Sequence, residues 1–133
     1  MNAVEALKTY YGALANKDLG VVADSYDIPS KMITLAGVVN LASRKAVRAA
    51  FENVIKTWEQ QGISSKIGFD EAEFRITEVQ ENCVLLSNQL TNFKLNGDFY
   101  QTWACTYLMT KTRGKWKISV ATTNNRATTS VRN

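Results

Sequence analysis

The chain of 133 residues contains no histidine, one proline and two cysteines, and each scarcity removes a class of chemistry. Without histidine, two cysteines are too few to furnish a zinc ligand set, so no metal is expected. In the strand register argued below, Cys83 and Cys105 fall about five residues apart on opposite sheet faces. At roughly 3.3 Å per residue that is ~16 Å, beyond the reach of a disulfide, and both are predicted to be free thiols. No apolar run approaches the ~20 residues of a membrane span, and the chain opens without a basic, apolar and small-residue leader. A soluble protein of a reducing, cytoplasmic compartment is the expectation. Neither sign of charge dominates, with 16 Lys plus Arg against 12 Asp plus Glu. The only basic clusters, Arg44-Lys45-Arg48 and Lys111 to Lys117, suit a solvated helix start and a hairpin tip. No nucleic-acid partner is expected, because such a surface concentrates its cations into one stripe with interleaved aromatics.

What is present is size enough for one core, at 45% hydrophobic residues, and a C-terminal half that can be folded on paper. Asn96-Gly97 and Arg113-Gly114 each mark a hairpin turn between alternating strands. Placing Leu95 opposite Asp98 sets Asn88 opposite Cys105, Leu86 opposite Tyr107 and Val84 opposite Met109. Placing Thr112 opposite Lys115 sets Met109 opposite Ile118 and Cys105 opposite Thr122. One sheet face then carries Val84, Leu86, Asn88, Leu90 and Asn92, with Gln101, Trp103, Cys105, Tyr107 and Met109, and with Trp116, Ile118, Val120, Thr122 and Asn124. It is apolar at the Trp116 end and polar at the other, as a core that opens into a wet pocket would be. No residue on it is acidic, basic or a histidine.

Upstream, Val4, Leu7, Tyr10, Tyr11 and Leu14 repeat at helical spacing and predict a helix over 3–15. Asp18 caps a second short helix carrying Leu19, Val22, Ala23 and Tyr26, which Pro29 ends. Short strands are predicted over 32–36 and 38–42. Ser43 then caps a third helix with Val47, Ala50, Phe51, Val54, Ile55 and Trp58 inward and Asn53 outward, stopped by Gly62. One long strand is predicted from Ser65 to about Val79, then strands over 82–95, 98–111 and from Lys115 to about Asn125, in all a sheet of about six strands. Residues 1–125 form one domain, and 126–133 read as a fraying tail. Helices segregated onto one face of a mainly antiparallel sheet make the class α+β.

Three stretches carry a family likeness: Tyr10 to Gly20 (YYGALANKDLG), Asn40 to Phe51, and Arg113 to Val120 (RGKWKISV). Across roughly residues 3 to 125 the chain resembles the nuclear transport factor 2 superfamily, which includes the SnoaL-like polyketide cyclases and the ketosteroid isomerases. The resemblance implies a cone-shaped α+β barrel, three helices packed on a strongly curved sheet, and a small-molecule pocket inside the cone; no cofactor is expected. It also implies a homodimer through the outer sheet face. Alignment on the Asn-Lys-Asp-Leu turn puts Tyr10 at the isomerases' phenol position. Their proton-moving aspartate would fall near Thr34 or Leu35, and their fifth-strand acid near Cys105 or Thr106, so both carboxylates are missing. Hydrolase-like members require an Asp-Arg-Asp constellation, for which Asp70 is the one carboxylate candidate.

The expected function is therefore binding of a neutral organic molecule, with no catalytic constellation. Tyr10, Tyr26, Trp58, Asn88, Trp103, Tyr107 and Thr122 are the expected ligand-binding residues: the rings supply contact area, and the amide and hydroxyls supply orientation. Two alternatives stand beside it. One is an isomerase, lyase or cyclase in which Tyr10 polarises a carbonyl and Asp70 moves a proton. The other is a homodimeric association module whose cone is plugged by its own aromatic rings. The outer face, Leu85, Ser87, Gln89, Thr91 and Phe93 with Tyr100, Thr102, Ala104, Thr106 and Leu108, suits a subunit contact.

Overall fold

Asn2 and Glu5 form a reciprocal capping box, the side chain of each accepting from the other's backbone N–H at 2.9 Å. With two orphan donors thus satisfied, helix α1 runs over Ala3–Ala15 and buries Leu7, Tyr10, Tyr11 and Leu14 along one stripe. Asp18 caps α2 (Leu19–Asp24) through Val21 N–H. Ser43 Oγ accepts Ala46 N–H at 3.1 Å to start α3 (Arg44–Gln60). Gly62, at φ +71°, takes the left-handed conformation that turns the chain out of it. The structure, a computed structural model, describes residues 1–124. The predicted tail at 126–133 and the side chain of Asn124 lie outside the described residues.

Among the described residues seven strands form the sheet: β1 (Tyr26–Thr34), β2 (Gly37–Leu41), β3 (Ile63–Gly68), β4 (Arg75–Gln80), β5 (Cys83–Lys94), β6 (Phe99–Thr112) and β7 (Lys115–Asn124). Their order is β2-β1-β7-β6-β5-β3, with β4 also on β5. β1 runs parallel to β7 and the other pairs are antiparallel. All three helices contribute to one core with the inner sheet face, where Leu7, Val22, Val47, Leu86 and Ile118 are fully buried.

The β5–β6 register is the expected one from Cys83↔Thr110 to Asn92↔Gln101. It shifts at Phe93↔Phe99, because the turn is closed by Lys94 N–H on the Asp98 carbonyl at 2.8 Å and not by Leu95 facing Asp98. Arg113 and Gly114 sit at φ 55° and 77° between paired Thr112 and Lys115, the two-residue turn whose twist matches the strands.

Four expectations are corrected. Tyr26 does not extend α2; the helix stops at Asp24 and Tyr26 opens β1, where it pairs with Ile118. Pro29 therefore lies inside a strand, within the irregular stretch of the β1–β7 pairing where its missing N–H is tolerated. The single strand predicted over 65–79 is two. β3 pairs with the C-terminal half of β5 and β4 with its N-terminal half, and Asp70 caps a 3-10 turn (Glu71–Glu73) between them by accepting Ala72 N–H. At the end of β3, Gly68 lies so close to Phe93 that a Cβ there would stand 3.1 Å from the ring. Finally, β7 carries a bulge at Ser119: Met109 pairs with Ile118, but Leu108 pairs with Val120 and Cys105 with Thr123. Past a one-residue slip every side chain changes face, so Ala121 and Thr123 point inward where Val120 and Thr122 were expected.

Candidate ligand-binding cavity

Helical spacing on α1 and α3 and alternation on β5 and β7 aim one set of side chains into the wide end of the cone. They enclose a cavity of about 480 Å³. α1 contributes Tyr10 and Leu14, β1 contributes Tyr26, Met32 and Thr34, and the turn after it contributes Leu35 and Ala36. From α3 come Phe51, Val54 and Trp58, with Asn53 and Thr57 at the mouth. The sheet supplies Ile67 of β3, Leu90 and Asn92 of β5, Trp103 and Tyr107 of β6, and Ala121 and Thr123 of β7. Among the described residues the lining carries no Asp, Glu, Lys, Arg or His.

The phenols of the cavity wall and of the core beside it form two hydrogen-bonded groups. Tyr26 donates to the Tyr10 hydroxyl at 3.0 Å, with the two rings edge-on at 5.4 Å. Tyr11 donates to Asn88 Oδ1 at 2.7 Å, and its oxygen stands 3.0 Å from the Tyr107 hydroxyl. Burial raises the pKa values of Tyr10, Tyr11, Tyr26 and Tyr107 well above the ordinary 10. Desolvation also pushes the Cys105 thiol up to about 12, against the lowering hydrogen bond from Tyr107. A thiol held that high offers no thiolate near neutrality, so Cys105 is a buried small side chain and not a nucleophile.

Of the residues expected from sequence to bind a ligand, Tyr10, Tyr26, Trp58, Trp103 and Tyr107 are brought together around this cavity. Asn88 and Thr122 are not. Asn88 is 4% exposed and its carbonyl oxygen is taken by Tyr11. Thr122 faces the other side of the sheet because of the β7 bulge, and its hydroxyl donates to the Thr106 carbonyl at 3.0 Å. Asp70 is exposed, caps the 3-10 turn and does not line the cavity, so Tyr10 and Asp70 do not converge. Asn53, predicted to face solvent only, reaches the rim through its i, i+4 relation to Thr57. Asn92, on the predicted inner face but outside the expected ligand-binding set, is 2% exposed and accepts the Trp103 indole N–H through Oδ1. The signal that separates it from Asn88 is the distant Tyr11, visible only once α1 is docked.

Among the described residues no cluster of three or more His, Cys, Asp or Glu is placed to hold a metal ion. No described helix is long and apolar enough to cross a membrane.

Three solved structures illustrate the likeness in fold. A protein of unknown function with a cystatin-like fold from Nostoc punctiforme superposes with a TM-score of 0.76 at 12% identity, over 94% of this chain and 89% of that one. An NTF2-like protein from Novosphingobium aromaticivorans gives 0.74 at 10% identity, over 91% and 77%. A ketosteroid isomerase-like protein from Erwinia carotovora atroseptica gives 0.72 at 11% identity, over 94% of each chain. At such identities the shared property is the fold, and activity does not transfer with it. No curated protein matches the chain in sequence. One family profile, described as NTF2-like protein (DUF6841), matches residues 3–126. With that match spanning nearly the whole chain, and with three helices against a curved sheet around an open-mouthed cavity, the chain belongs to the NTF2-like family DUF6841.

Proposed function

We propose that the protein binds a small, uncharged organic molecule in the cone. The observation that carries this reading is the cavity itself: about 480 Å³, walled by aromatic and aliphatic side chains, with neutral amides and hydroxyls as the polar groups among the described residues. That volume lies within the range of small-molecule sites, and a charged ligand would be desolvated there without a counter-charge. The same volume weighs against a cone plugged by its own rings. The position of Asp70 outside the cavity weighs against a proton transfer shared by Tyr10 and Asp70.

Nile red, an uncharged fluorophore, tests the reading. It is expected to bind stoichiometrically with a blue-shifted emission, and Trp103→Ala is expected to weaken it. Because the ionisable lining groups among the described residues are phenols with raised pKa values, its affinity is expected to change by less than about twofold between pH 5 and 9. A steep pH dependence in that range would mean the probe sits elsewhere.

Association through the outer sheet face is part of the same proposal. Ser87 Oγ and Thr106 Oγ1 share a hydrogen bond at 3.0 Å, and Thr122 is spent on the Thr106 carbonyl. With these hydroxyls engaged within the sheet, a second copy can cover their positions at a lower desolvation cost. Leu85 and Tyr100 extend the apolar surface, at 38% and 40% exposed. The wild type is expected to run as a dimer in size-exclusion chromatography with light scattering, and Thr106→Arg as a monomer with an unchanged circular dichroism spectrum. A monomeric wild type at micromolar concentration overturns this part alone.

A further inference from the structure

We propose that Asn92 reads a hydrogen-bond acceptor on the ligand, so that the molecule held in the cone is a largely apolar compound carrying a carbonyl or equivalent oxygen. This rests on the ligand-binding reading above and specifies its chemistry.

The Trp103 indole N–H can only donate, and it donates to the Asn92 side chain. The amide is thereby oriented: Oδ1 faces the indole, and Nδ2 keeps both of its hydrogens. Nδ2 is buried and has no partner, although Asn92 belongs to the cavity wall. Buried side-chain amides are nearly always satisfied, and an orphaned one calls for a partner that the protein does not supply. Ser30 Oγ is the other such atom among the described residues, but Ser30 does not line the cavity. The terminal torsion of an asparagine is broad. A modest rotation therefore presents an N–H to a ligand oxygen while Oδ1 retains the indole. A ligand donor in the same place would meet two hydrogens and no lone pair. The aromatic walls at Trp58, Trp103 and Tyr10 favour a flat, ring-containing body behind that oxygen.

Fluorenone and fluorene, alike in shape and differing by one carbonyl oxygen, provide the test. The protein is expected to bind fluorenone more tightly, although fluorene is the more apolar. Removing the amide donor by Asn92→Leu is expected to lower the fluorenone-to-fluorene affinity ratio on the order of 10-fold. The carbonyl stretch of bound fluorenone reports on the unmutated protein directly: it is expected at lower frequency than in hydrocarbon solvent. A ratio unchanged by substitution, or a carbonyl stretch at its hydrocarbon frequency, overturns the role of Asn92 while leaving the cavity reading intact. Failure of the protein to bind fluorenone, fluorene or Nile red at all overturns the cavity reading itself.

Discussion

The fold is expected to be lost steeply between about pH 10 and 12, because five groups are buried in their neutral forms. Tyr10, Tyr11, Tyr26, Tyr107 and Cys105 are each at most 5% exposed, and burial is the leading cause of every one of their raised pKa values. The sign follows from proton counting. Below pH 9 folded and unfolded chains hold these protons alike, and the stability is fully present. Above the ordinary values of 9.0 for the thiol and 10.0 for the phenols, the unfolded chain releases protons that the folded chain keeps, so stability falls until the raised values are passed. Each group contributes about 1.4 kcal/mol per pH unit in that window. Five together approach ~7 kcal/mol per unit, against a typical net stability of about 5–15 kcal/mol. Urea midpoints at pH 8, 10 and 11 measure the slope. Tyr26→Phe, which removes one phenol and one hydrogen bond donated to Tyr10, is expected to make it shallower by one group's share. A midpoint that does not move between pH 8 and 11 would show that these groups ionise as freely in the fold as outside it.

Phe51→Ala is expected to cost about 3–5 kcal/mol, the range for deleting a buried phenyl ring. Phe51 is 3% exposed and packs edge-on to Tyr10 at 5.9 Å and tilted against Tyr26 at 5.4 Å. The residue joins the core to the cavity wall, so the void it leaves opens into the binding space and the loss of stability is accompanied by altered Nile red binding. Leu35→Ala at the cavity mouth provides the contrast. Leu35 is 73% exposed, and its truncation is expected to stay within about 0.5 kcal/mol. Thermal and urea unfolding of the two variants separate the wall that holds the fold from the rim that only borders the ligand.

The parts of this structure legible from sequence are those governed by local rules. The helices announce themselves by spacing and by Asn2, Asp18 and Ser43 at their starts. The β5–β6 register follows from strict alternation over a long hairpin, because an odd slip would turn Leu86, Leu90 and Tyr107 outward. What stayed hidden is set by partners distant in sequence. Val120, Ala121, Thr122 and Thr123 suit either face, and nothing in them marks the bulge at Ser119. The parallel neighbour β1 shares an irregularity there, its own register shifting between Tyr26 and Lys31 around Pro29. The break at Asp70 depends likewise on β5 being long enough to pair with β3 and β4 in turn. Asn88 and Asn92 lie on the same face of one strand, yet Tyr11 satisfies the first while the second meets Trp103 and the cavity.

Native mass spectrometry of the protein purified without denaturation, repeated after organic extraction, tests the central claim most directly. A ligand-binding cone predicts an added mass of a few hundred daltons per chain that disappears on extraction and belongs to an uncharged, oxygen-bearing molecule. The bare polypeptide mass before and after extraction, in protein that also fails to take up added Nile red in the same spectrum, would contradict it.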